Sequence, residues 1–149
     1  MKEEMINEFL KIYNRFRLDF YRNLNFGEDE DSLTVSESFC LEVINGLDQA
    51  TVRDVAAFMK ISQPNAAYKI SNLEEKGYIT KNQSQEDKRI FYLNVTDKYY
   101  GFLELKNENV VTILDEIMEN LTSEEIETTT KMMGRINENM PSPNEYLKK

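Results

Sequence analysis

The sequence predicts a mainly α-helical chain that carries one small β-hairpin. Apolar residues recur at the three-to-four-residue spacing of helices along most of the 149 positions, and this spacing gives way once, between residues 78 and 96, to the alternation of strands. The length and a 40% apolar content suit one folded unit with a real core, so residues 1–149 are expected to form a single domain.

The elements follow in order. Met5, Phe9, Tyr13, Phe16, Phe20 and Leu24 stripe a first helix, and Ile6, Leu10 and Ile12 widen the stripe beyond what one packing face requires. Gly27, Glu28, Asp29, Glu30 and Asp31 have nothing to bury and read as a solvated loop. Thr34 with Glu37 fits a capping box ahead of a second helix over about 34–47. Thr51 with Asp54 fits the same cap before a short third helix. Ser62 followed by Pro64, which is tolerated only in a first helical turn, opens a fourth helix at about 63–76, stopped by Gly77.

Tyr78, Ile79 and Thr80 then read as a strand, and Phe91, Leu93 and Val95 alternate against Ile90, Tyr92 and Asn94 as its return. The polar run from Asn82 to Lys88 reads as the hairpin tip. Leu103, Val110, Leu114, Ile117 and Leu121 mark a long helix. Thr122 with Glu125 caps a last one carrying Ile126, Met133, Ile136 and Met140, before Pro141 and Pro143 end regular structure.

Composition removes several function classes. With no histidine and one cysteine, Cys40, there is no disulfide, no Ser/His/Asp or Cys/His catalytic set and little with which to hold zinc. Five glycines supply no phosphate-cradling loop. No catalytic residue, metal site or cofactor is therefore expected. No apolar run reaches the ~18 residues of a membrane helix, and the first residues lack the basic-then-apolar order of a signal peptide, so a cytoplasmic chain without a membrane partner is expected. The net charge of -9 is unevenly spread: residues 51–100 hold eight Lys or Arg against six Asp or Glu, and the rest of the chain holds ten against twenty-one.

Three short helices followed by a two-stranded wing form a winged helix-turn-helix, in which the last helix of the trio enters the major groove of duplex DNA. Ala66, Ile70 and Leu73 mark the core face of that helix, which leaves Gln63, Asn65, Lys69 and Asn72 pointing elsewhere, with Ala67 and Tyr68 alongside. Amides can bond adenine bidentately, and lysine can reach guanine or phosphate. Any amphipathic helix also shows polar residues outward, and any solvated turn can carry Lys88 and Arg89 after Glu86 and Asp87. The helix becomes informative beside its wing.

Residues 33–105 resemble the reading core of the MarR family, the multiple-antibiotic-resistance regulators. The resemblance rests on Leu33-Thr34 before the second helix, TVRDVAAFMKISQPNAAYKISNLEEKGYITK across the helix-turn-helix, SQEDKR at the wing and LNVTDKYYGFL leading into the long helix. It implies that Asp87 and Arg89 match the family's Asp-x-Arg, which helps set the hairpin and sends the arginine into the minor groove. It implies that Ser62, Gln63, Asn65, Lys69 and Asn72 lie on the reading helix and its start. The family more often has Ser or Thr and an Arg where this chain has Pro64, Ala67 and Tyr68.

The resemblance further implies a homodimer built from the first and last two helices. It also implies a small aromatic or lipophilic effector, for which Tyr13, Phe16, Phe20, Phe39 and Tyr99 are candidate pocket neighbours as well as ordinary core aromatics. Some relatives sense oxidants through a cysteine near the N-terminus, whereas Cys40 lies between Phe39 and Leu41 as a buried hydrophobe would.

The reading is thus a winged helix-turn-helix head over 33–96 with helical dimerisation regions at 1–25 and 97–140. Its function is that of a sequence-specific regulator, a repressor by expectation, that binds double-stranded DNA at a near-palindromic operator. DNA-binding candidates are Ser62, Gln63, Asn65, Lys69, Asn72, Asp87, Lys88 and Arg89. The alternative is a winged-helix protein-interaction module whose head never touches DNA; an enzyme is the third reading.

Overall fold

The computed structural model describes residues 1–23 and 32–148. Leu24 of the first stripe and the acidic run 27–31 lie outside the described residues. The elements are α1 (Lys2–Asn23), α2 (Val35–Gly46), α3 (Val52–Met59), α4 (Gln63–Glu75), β1 (Ile79–Gln83), β2 (Phe91–Val95), α5 (Asp97–Met118) and α6 (Ser123–Asn139), with a closing 3-10 turn at Pro143–Leu147. The fold is mainly α with one antiparallel hairpin, as the change of period predicts. Among the described residues no helix is long and apolar enough to cross a membrane.

All three capping boxes form. The side chains of Thr34, Thr51 and Thr122 each accept a hydrogen bond from the amide three residues on, and each threonine's own amide donates in return to the carboxylate of Glu37, Asp54 or Glu125. Each box satisfies two amides that a helix start would otherwise leave unpaired, so the spacing of these residues fixes where α2, α3 and α6 begin. At the other end of α4, Gly77 takes φ +78°, a backbone conformation that side-chain-bearing residues rarely adopt.

The buried apolar side chains lie between Leu33 and Tyr99, where α2, α3 and α4 enclose Leu41, Val55, Ile70 and Leu73 and the hairpin adds Ile79 and Leu93. The wing is tied to this core twice. The Leu93 amide donates to the Ala50 carbonyl at 2.8 Å, and Thr96 donates from its amide to Tyr78 and from its hydroxyl to Gly77. By contrast α6 contributes no buried residue, and α1 exposes Met5, Phe9, Leu10 and Tyr13.

Two features differ from the sequence expectation. β1 runs on through Asn82 and Gln83, which pair with Tyr92 and Phe91, because strand pairing is set by the partner backbone and both residues sit where water reaches them. Regular structure also does not end at Pro141 and Pro143. Pro143, preorganised for the first turn, starts a 3-10 turn that returns to the head. There Asn144 donates to Asp48, the Asp48 amide donates to Asn144, and Tyr146 stacks edge-on against Phe58 at 5.7 Å. Deleting residues 141–149 is expected to remove about 1–3 kcal/mol, on the scale of a partly buried leucine and an aromatic pair, and to lower the melting temperature by several degrees in a thermal scan. An unchanged melting temperature would show that the returning turn holds nothing.

Candidate nucleic-acid interface

Helix α4 starts where Ser62 accepts from the Asn65 amide at 3.3 Å and Pro64 fills the first turn. Ala66, Ile70 and Leu73 are fully enclosed, which orients the rest of the helix. At 100° per residue the opposite face carries Pro64, Tyr68, Ser71 and Glu75, all exposed, with exposed Gln63, Asn65 and Ala67 on the flanks. Asn72 and Lys69 are half-buried, and the Lys69 charge lies close enough to Cys40 to act on its thiol. Burial nevertheless dominates there and pushes Cys40 up to about 11, well away from a reactive thiolate.

Charge on α4 is polarised. Its first turn has no acidic residue, while Glu74 and Glu75 crowd its end, Glu74 held by Lys81 at 2.6 Å. A polyanion is therefore met by the N-terminal half, where the helix dipole also favours negative charge.

The wing tip is a built turn. Ser84, buried, accepts from the amides of Glu86 and Asp87 and donates its own amide to the Ile90 carbonyl. Gln83 donates to the Lys88 carbonyl at 2.6 Å. Asp87 accepts from the Arg89 amide at 3.0 Å and from its guanidinium at 3.1 and 3.0 Å. The Arg89 side chain remains 89% exposed, so the carboxylate aims the guanidinium without hiding it. These bonds hold the Asp87 carboxyl below its ordinary value and raise the guanidinium above its own. Arg89 is thus a fixed cation at a fixed place, the property a groove-probing residue needs.

The reading helix and the wing converge. Gln63 and Arg89, 26 positions apart, line one cleft of about 680 Å³, together with Arg53 and Asp54 of α3, Phe91 of β2 and Leu147 of the returning turn. Arg53 was missed in the sequence reading, although its place between the capping Thr51 and Asp54 puts it on the outer side of a first turn. Ser84 was missed too; its signal was a serine two residues ahead of acidic turn residues. Among the described residues Arg53, Lys60 and Lys88 are exposed and form no ion pair, whereas Lys76 and Lys81 are taken up by Glu37 and Glu74.

The aromatics proposed as effector neighbours are dispersed. Tyr99 is enclosed in the head core, its hydroxyl pushed up to about 12 by burial and by the nearby Glu42 charge. Phe39 sits on α2 against Phe58, Phe16 and Phe20 are half-buried on α1, and Tyr13 is exposed under Arg17. Neither the cleft above nor a second of about 570 Å³ along α5 is lined by any of the five.

A sequence model of the MarR family matches residues 31–90, the stretch that contains α2, α3, α4 and the wing tip. The chain is 22% identical over 136 residues to the HTH-type transcriptional regulator MhqR of Bacillus subtilis, covering 91% of this chain and 93% of that one. Its fold is similar to that of FabT of Streptococcus pneumoniae, solved in complex with DNA, with a TM-score of 0.59 at 24% identity, over 91% of this chain and 95% of that one. It is also similar to the transcriptional regulator Tm0710 of Thermotoga maritima, with a TM-score of 0.69 at 16% identity, over 91% and 92%. The MarR family model thus covers the helix-turn-helix and the Asp87-braced wing, and the likeness to MhqR and FabT extends over the flanking arms.

Proposed function

We propose that this protein is a cytoplasmic, sequence-specific DNA-binding transcription regulator that performs no chemistry of its own. One observation carries the reading: Gln63 at the start of α4 and the exposed, Asp87-clamped Arg89 of the wing face a single cleft, so helix and wing can engage adjacent grooves of one duplex. Gln63, Asn65 and Ser62 are placed to meet base edges and phosphates near the N-terminal end of α4, with Asn72 deeper along its flank. Lys88, Arg89 and Arg53 meet the backbone or minor groove. Lys69, half-buried, takes the outermost phosphate on its side.

The protein works as a homodimer of residues 1–25 and 97–140, whose apolar faces the head leaves uncovered. Two heads then stand on a near-palindromic operator about one turn apart. We further propose that the protein takes a small aromatic or lipophilic effector, with Phe16 and Phe20 of α1 as its candidate neighbours. Bound there it would change the spacing of the two reading helices and release DNA, which makes repression the favoured mode.

The test is binding to a duplex selected from a random pool, followed by fluorescence anisotropy from 50 to 300 mM salt. Wild type is expected to show a steep salt dependence, and Arg89→Ala to weaken binding roughly tenfold and flatten the slope by about one phosphate contact. If no duplex is bound even at low salt, the head serves another partner, and the protein-interaction reading takes its place.

A further inference from the structure

Tyr68 is 67% exposed, the most exposed aromatic side chain among the described residues, and it stands opposite the buried face of α4. The other exposed aromatics of the head have company: Phe39 and Tyr146 pack on Phe58, Phe91 lines the cleft, and Tyr100 donates to Asn45. Tyr68 has no aromatic ring, cation or hydrogen-bond partner among the described residues. Its neighbours one turn back and one residue back are Pro64 and Ala67, both exposed. The N-terminal half of the face that points away from the core is therefore apolar at Pro64 and Tyr68 with Ala67 beside them, Ser71 and Glu75 follow toward the C-terminal end, and the amides Gln63, Asn65 and Asn72 lie to either side. Such a ring gains nothing in water, and it lies about 7–8 Å along the axis from Gln63, within the reach of a helix inserted by its N-terminal half.

We propose that Pro64, Ala67 and Tyr68 form a methyl-reading surface that makes the head select thymine at the centre of each half-site. In the major groove the apolar feature that distinguishes bases is the thymine C5-methyl. Cytosine carries only hydrogen at C5, and where thymine has O4 it presents an amino group that an apolar face leaves unbonded. The amides on the flanks read the adenines that accompany such thymines, so the whole helix favours A·T pairs. This rests on the DNA-binding reading above and adds which chemical group the protein recognises.

The experiment replaces thymidine by deoxyuridine in the half-sites of the selected duplex, which deletes the methyl and leaves base pairing intact. Wild type is expected to bind the deoxyuridine duplex about fourfold more weakly for each contacted methyl, the value of one buried carbon. Tyr68→Phe should keep that penalty. Tyr68→Ala, at an exposed position that leaves the core untouched, should lose the largest part of that penalty while retaining its salt dependence. Equal binding of both duplexes by wild type, or an undiminished penalty in Tyr68→Ala, overturns the methyl-reading proposal and leaves DNA binding standing. Failure to bind either duplex at low salt overturns the DNA-binding reading itself, and this inference with it.

Discussion

Lys76→Met is expected to destabilise the head by about 3 kcal/mol at neutral pH, the cost of stripping one partner from a buried ion pair. Glu37 is buried on α2, and its carboxylate receives the Lys76 ammonium at 3.0 and 3.1 Å and the Thr34 amide at 2.9 Å. Lys76 also donates to the Ser32 carbonyl, so one ammonium at the end of α4 fastens the start of α2. Burial pushes the Glu37 carboxyl up, but the Thr34 amide and the Lys76 charge together bring it below its ordinary 4.5. Because the folded value lies below the unfolded one, the stabilisation is present above about pH 4.5 and is lost as the pH falls through the lower, folded value. Urea unfolding of Lys76→Met at pH 7 should show the full deficit, and at pH 3.5 the difference from wild type should shrink. The double variant Glu37→Gln/Lys76→Met should recover part of the loss, since a neutral pair leaves no charge uncompensated. A deficit below 1 kcal/mol at pH 7 would mean that water reaches Glu37 when Lys76 is absent.

What the sequence revealed and what it concealed divide along the range of the interactions. The three capping boxes span four residues each, and Thr34, Thr51 and Thr122 could be read without knowing anything else about the fold. The Asp87–Arg89 clamp is equally local. The Glu37–Lys76 pair joins residues 39 apart and the Asp48–Asn144 bonds residues 96 apart; no periodicity announces such partners. The turn beyond Pro141 was hidden for that reason, as proline read as a stop when it was also a start. Lys69 shows a subtler limit. A lysine one residue before buried Ile70 reads as polar and outward, but its position on the edge of the core face lets its stem lie along apolar surface. For Tyr68 the family pattern drew attention away, since its departure from that pattern is what distinguishes this reading helix.

Met133→Asp with Ile136→Asp is expected to turn the proposed homodimer into a monomer and weaken operator binding by 100-fold or more. These two side chains of α6 and Met140 at its C-cap follow one another at three- and four-residue spacing, are 53%, 37% and 64% exposed, and α6 has no fully buried residue. α5 repeats the pattern with Val111, Leu114, Ile117 and Met118, and α1 with Met5, Phe9 and Tyr13. These faces stay exposed among the described residues, and in the proposed homodimer a second copy would supply a complementary set. Two aspartates in that seam would be desolvated without partners, a penalty that a dimer cannot absorb. The head should survive, because its buried apolar residues lie between Leu33 and Tyr99 and none belongs to α6. Circular dichroism should therefore remain helical while sedimentation reports half the wild-type mass. Binding falls because the second head then arrives from bulk solution instead of being tethered beside the first, and linkage of that kind multiplies affinity by about 10²–10⁴. A folded monomer with wild-type operator affinity would place all of the recognition in one head and leave the apolar arms without a role in DNA binding.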